Sequence, residues 1–255
     1  MKYMKVSIIL AIFIVFLGIN AYATPITLLI DSFDTPQEFL LLYTGSSPYN
    51  LLPVSASGTV SSGGGDIIGG ERDVSVTLES GTSLYLGIGQ GGLSLADQSL
   101  GSSSKGHTTI VWDGLDGNAN AIDYTGLNSL DLTAGGASAL KIDLTFDDLP
   151  AKLVLSVYTD AINWSSMDLN LPGGISSLQS FIMNYSDFVT KGGTGAAFAD
   201  VGAISLYIDG TITAAADLRF DSVTTAVPEP GTILLVGAGL ICIYYVYRGR
   251  KKSKN

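Results

Sequence analysis

In ALKIDLTF, residues 139–146, apolar and polar side chains alternate, so Ile142, Leu144 and Phe146 point one way while Lys141, Asp143 and Thr145 point the other. A period of two buries one face of an extended strand. Alternation or β-branched content recurs in ITLLID (26–31), DVSVTL (73–78), SLYLGIG (83–89), TTIVWDG (108–114), KLVLSVYT (152–159), WSSMDLNL (164–171), GAISLYID (202–209) and DLRFDSVTT (217–225). Gly, Ser, Asn and Asp separate these segments, and none of the intervening sequence repeats with a helical period over about 12 residues. Short strands with regular turn signals predict an all-β sandwich or barrel.

The two ends break this pattern. Lys2 and Lys5 precede an uncharged apolar run from Val6 to Ile19, and Ala21-Tyr22-Ala23 then supplies the small-x-small pattern that a signal peptidase accepts. Residues 1–23 read as a secretory signal peptide with cleavage after Ala23; the alternative is an uncleaved anchor. No cysteine follows the run, which excludes a lipoprotein signal. At the other end, Thr232–Tyr247 is apolar and uncharged, somewhat short of the roughly 20 residues of a bilayer crossing, although Val227 and the nearby prolines extend it. Tyr244, Tyr245 and Tyr247 suit the headgroup level, and Arg248, Arg250, Lys251, Lys252 and Lys254 place that end in the cytoplasm. Both ends put the middle outside.

That middle, Thr24–Ala226, holds 203 residues, enough for one domain with a substantial core. Six basic residues face 22 acidic ones there, a formal charge of −16. Such a surface repels nucleic acid and anionic lipid, and is compatible with cations and neutral sugars. The single cysteine, Cys242, lies in the C-terminal apolar run. The exported part therefore carries neither disulfide nor thiol, and its stability rests on an apolar core, with bound ions as a further source.

Candidate chemistry is sparse. His107, in SSSKGHTT, reads as a solvated loop histidine without a nucleophile, and one histidine cannot build a His/Cys zinc site. A glycosidase needs two carboxyls flanking the scissile bond. The middle has only Glu38, Glu71 and Glu79 as glutamates; Glu71 and Asp73 share a strand face, but Val76 stands where a laminarinase-type E-x-D-x-x-E would close. The Gly-rich runs match neither dinucleotide nor P-loop fingerprints. Asp116, Asn118, Asn120 and Asp123 could wrap a hard cation such as Ca²⁺, although Ala121 and Leu127 rule out an EF-hand and turn formation is the competing reading. For sugar stacking the candidates are Trp164 and Tyr158 with Asp160 and Asn163, whereas Trp112, alternating with Ile110, reads as core.

Val227-Pro228-Glu229-Pro230, an apolar Gly-containing segment and a terminal Arg/Lys cluster resemble, in that order, the PEP-CTERM sorting signal. Gly231 departs from the Ser or Ala common there. The resemblance implies export, processing by an exosortase-type transpeptidase, and a Gram-negative, exopolysaccharide-producing host; an ordinary single-pass anchor is the alternative. DSFDTPQ (31–37), IIGGERDVSV (67–76), WDGLDGNANAIDYTGLNSLDLT (112–133) and ADVGAISLYIDG (199–210) resemble PEP-CTERM ectodomains with a galactose-binding-like jelly roll. This implies a jelly-roll β-sandwich, in a fold where sugar binding is frequent, calcium sites recur and many members are structural. The expected organisation is a signal peptide (1–23), a β-sandwich ectodomain (24–226) and a sorting and anchor segment (227–255). The expected role is non-enzymatic association with extracellular polysaccharide; a structural or adhesive protein and a glycoside hydrolase are the alternatives.

Overall fold

The computed structural model describes residues 27–43, 54–62, 65–89 and 96–227. Ala21, Ala23, Pro228, Glu229, Pro230 and the basic tail lie outside the described residues. Ile26–Val227 forms one unit, and its strands in chain order are β1 (Leu29–Asp31), β2 (Gln37–Tyr43), β3 (Val54–Ser61), β4 (Glu71–Ser80), β5 (Ser83–Ile88), β6 (Ala96–Leu100), β7 (Lys105–Trp112), β8 (Ala139–Asp147), β9 (Ala151–Tyr158), β10 (Trp164–Leu171), β11 (Gln179–Asn184), β12 (Val189–Gly192), β13 (Ala203–Asp209) and β14 (Leu218–Ala226). The helical content of the described residues is three 3-10 turns.

Among the described residues the strands pair antiparallel and build two sheets. The first runs β11-β8-β14-β6-β5-β2, with β1 also on β14; the second runs β12-β10-β9-β13-β7-β4-β3. Between them lies the core expected from alternation. Leu140, Ile142 and Leu144 of β8 and Leu84, Leu86 and Ile88 of β5 come from the first sheet. Val74, Val76 and Leu78 of β4, Leu153, Leu155 and Val157 of β9, and Ile204, Leu206 and Ile208 of β13 come from the second. Burying each such side chain contributes about 1.5–3 kcal/mol before chain entropy is set against it. The molecule is an all-β sandwich, as the alternation predicts.

Two local features escape the alternation. On β14 the buried positions are Leu218 and Phe220, then Val223 and Thr225. The parity changes because the register with β8 shifts between Phe220 and Ser222, where an extra residue bulges. His107 is the second feature: it lies within β7, not in a loop. Its Nδ1 is 3.4 Å from a Glu79 carboxylate oxygen and its ring is 5.1 Å from that of Tyr207. The glycine that suggests a loop, Gly106, is there for packing, since a Cβ would sit 2.4 Å from the Thr77 carbonyl oxygen and 2.5 Å from Leu84 Cδ1.

Candidate functional site

Strand β4 sends consecutive side chains to opposite faces, and its first three residues are all charged. Arg72 is in step with Val74, Val76 and Leu78, so it enters the core, where its side chain is wholly buried. A buried guanidinium is tolerated only if its donors are met. Nε and Nη2 reach the two Asp31 oxygens at 2.7 and 3.0 Å, and Nη1 reaches the Thr35 carbonyl at 3.2 Å. Asp31 also accepts from Trp112 Nε1 at 2.8 Å and from the Phe33 amide at 2.7 Å. Three of the stretches carrying the ectodomain resemblance thus converge on one saturated ion pair inside the sandwich. Trp112 is fully buried, as its alternation with Ile110 predicts.

Glu71 and Asp73 occupy the other face of β4, as expected. That face is covered by the connection from β7 to β8, which turns back at Asp113. Gly114 has φ +93°, and Gly126 lies so close to Asp113 that a Cβ would fall 1.4 Å from the Asp113 carbonyl oxygen. The covering loop is held by carboxylates. Glu71 Oε1 accepts from the Gly117 amide at 2.7 Å, and Asp113 Oδ2 accepts from the Asp123 amide at 2.7 Å. Asn120 Oδ1 accepts from Ser57 on β3.

Beneath this cover Asp73 and Asp113 are each 1% exposed. Neither Asp73 oxygen, nor Asp113 Oδ1, has a donor. The two carboxyls face each other, and burial, followed by the neighbouring acids, pushes Asp73 well above the usual carboxylate range. Burial raises Asp113 as well. Carboxylate oxygens of Glu71, Asp73 and Asp116 lie within 4.8 Å of one another.

The residues proposed from sequence for a cation do not converge as a set. Asp116, Asn118 and Asp123 each accept a backbone amide two residues on, at 2.8, 3.2 and 2.9 Å, which is turn chemistry. Of the four, Asp116 joins the cluster with Glu71 and Asp73. The sequence shows Glu71 and Asp73 sharing a strand face but not their burial, and Asp113 looks like an ordinary polar position.

The sugar candidates lie at one end of the second sheet. Tyr158 and Trp164 are cross-strand partners whose rings stack at 5.4 Å and 25°, and Tyr124 from the covering loop meets Tyr158 edge-on at 5.3 Å. All three are half-buried. On the β12 side, the Trp164 ring lies over Gly192, where a Cβ would approach to 2.6 Å. Asp160 and Asn163 shape the adjoining turn. Asp160 accepts from the Asn163 side-chain amide at 2.8 Å and from the Ile162 and Asn163 backbone amides, which holds its carboxyl below the usual range. Asn163 Oδ1 accepts from the Thr194 amide and hydroxyl. The structure brings these four residues together, with the two polar ones engaged in the turn.

Among solved structures, the chain is similar to the family 11 carbohydrate-binding module from Clostridium thermocellum in complex with a β-1,3-1,4-mixed-linked tetrasaccharide, at 8% identity and a TM-score of 0.39, over 79% of this chain and 95% of that one. It is also similar to an exo-β-agarase, at 12% identity and a TM-score of 0.40, over 79% of this chain and 26% of the agarase. No curated protein matches the chain in sequence. Residues 226–251 match the family described as the PEP-CTERM protein-sorting motif, which indicates an exported, C-terminally anchored protein.

Proposed function

We propose that this is a surface-sorted, non-catalytic bacterial protein whose β-sandwich associates with extracellular polysaccharide in the matrix of a Gram-negative cell. The observation that carries the reading is the sorting motif, which begins at residue 226, the last residue of β14. The sandwich runs directly into its sorting signal. In this reading a signal peptidase removes residues 1–23, the C-terminal segment holds the chain in the membrane, and an exosortase-type transpeptidase then processes it.

Three features support a binding role without catalysis. The acidic exported part disfavours nucleic acid and leaves neutral glycans as compatible partners. The close carboxyl pair, Asp73 and Asp113, is sealed beneath a loop, out of reach of a glycan chain. The row Tyr124–Tyr158–Trp164 offers half-exposed aromatic surface of the kind that packs on sugar rings.

The test is titration of the full chain, held in detergent, with the host's purified exopolysaccharide. Saturable binding that Trp164→Ala abolishes, with the melting temperature retained, supports the reading. Absence of binding overturns it. In cells, Glu229→Ala is expected to leave the unprocessed chain in the membrane fraction; normal processing of that variant counts against an exosortase route.

An adhesive role is the second reading. Ile182, on the edge strand β11, and nearby Leu178 are 50% and 59% exposed. Self-association without glycan binding in the same titration favours it.

A further inference from the structure

We propose that Glu71, Asp73, Asp113 and Asp116 form a binding site for one divalent cation, with the chemistry of Ca²⁺, that fastens the loop following β7 onto the outer face of β4. This site is independent of the glycan reading, and only Asp116 is shared with the set expected from sequence.

Oxygens of Glu71, Asp73 and Asp116 already lie within 4.8 Å of one another, close enough to share one ion. Asp113 faces Asp73 from the adjoining strand end, since Asp73 pairs with Val111 on β7.

Asp73 is 1% exposed and neither of its oxygens receives a hydrogen bond; Asp113 Oδ1 is equally buried and equally without a donor. Buried polar atoms are almost always satisfied, so unmatched acceptors beside this cluster call for a positive group. No ion pair among the described residues supplies one there. Among the described residues the ion pairs are Arg72–Asp31, His107–Glu79, Lys141–Asp143 and Lys152–Asp168, all outside the cluster. Arg72, the nearest in sequence, points from the opposite face of the sheet to Asp31.

Four carboxylates with no imidazole or thiolate suit a hard cation that takes six to eight oxygens in irregular geometry, the remaining positions being filled by water. Glu71 and Asp113 also hold the Gly117 and Asp123 amides, so an ion bound between them would tie both ends of the loop to the sheet. Asp123 is followed by Tyr124, the first ring of the aromatic row.

One other arrangement could neutralise Asp73 and Asp113: a single proton shared between them. The full chain, stripped with EDTA in detergent, is titrated with CaCl₂ by calorimetry, and its melting temperature is followed. The cation site predicts one Ca²⁺ per chain with a Kd on the order of 10⁻⁴–10⁻³ M, typical of extracellular modules. It also predicts a rise in melting temperature of about 4 °C at roughly tenfold excess over Kd. Asp73→Asn should abolish both responses, while its EDTA-treated form melts no lower than the parent, since a buried uncompensated charge has been removed. Asp116 is exposed, so Asp116→Asn should keep the parent's metal-free melting temperature and weaken Ca²⁺ about tenfold or more. Absence of Ca²⁺ heat and of any melting shift in the parent chain overturns the site and leaves the shared proton. A parental Ca²⁺ response in Asp73→Asn overturns it too, because the ion must then bind elsewhere.

Discussion

Asp31 and Asp73 are both buried, and both depend on β4, yet they are opposites. Asp31 receives four donors: the Phe33 amide, two nitrogens of Arg72 and the Trp112 indole. Asp73 receives none. The residues that separate them, Arg72 and Asp73, are neighbours in sequence and differ only in the side of the sheet to which the pleat sends them. The inward side received a complete set of partners from three distant segments. The outward side received three further acids from β4 and the covering loop. A buried charge is stable in the first setting by internal pairing, and in the second only if a proton or an ion from outside completes it.

The sharpest way to break the contrast is Asp31→Asn. It leaves Arg72 buried against a neutral amide, and a loss of about 3–5 kcal/mol in urea-unfolding free energy is expected. Asp73→Asn changes the same atoms and should cost nothing without metal. If both variants lose stability equally, the contrast fails.

Asp147 lies between the two extremes and should give a smaller effect. It is buried with one donor, the Gly173 amide at 2.9 Å, while its other oxygen has none. Burial pushes its carboxyl up to about 6, with Asp148 adding to the rise, against an ordinary value of 3.8. The folded state therefore holds this proton more tightly than the unfolded chain. Its contribution to stability is complete below about 3.8 and is lost as the pH rises through about 6. Denaturation from well below that window to well above it should show a decline of roughly 3 kcal/mol from this group. Asp147→Asn, which keeps an acceptor for Gly173, should flatten it. An unchanged slope in that variant would assign the pH dependence to other carboxyls.

Alternation stands out in strands with a neighbour along each edge, such as DVSVTL, KLVLSVYT and GAISLYID. β2, β3, β6, β11 and β12 did not stand out, and all of these but β6 end the strand order of a sheet. An edge strand has one neighbour and need not be apolar: in VTKG of β12 no residue is buried. The bulge at Asp221 was equally hidden, because parity shifts are set by pairing with β8 and not by local composition. At the candidate site, Glu71 and Asp73 were recognisable as sharing a face. Their burial was not, since it depends on a loop crossing the sheet, and hydropathy patterns do not record what lies over a strand. Trp164 and Tyr158 did come together as proposed, because adjacent antiparallel strands joined by a short turn must pair across it.

The place of β14 has a mechanical consequence. Its neighbour on one side is β8, along Leu218–Ala226; on the other side are β6 and β1. Any tether that follows Ala226 therefore pulls on an interior strand. Force entering there runs along the strand axis and must shear ladders on both flanks together, whereas an edge strand would peel away one hydrogen bond at a time. A domain anchored at its C-terminus is thus loaded through a strand laced on both flanks.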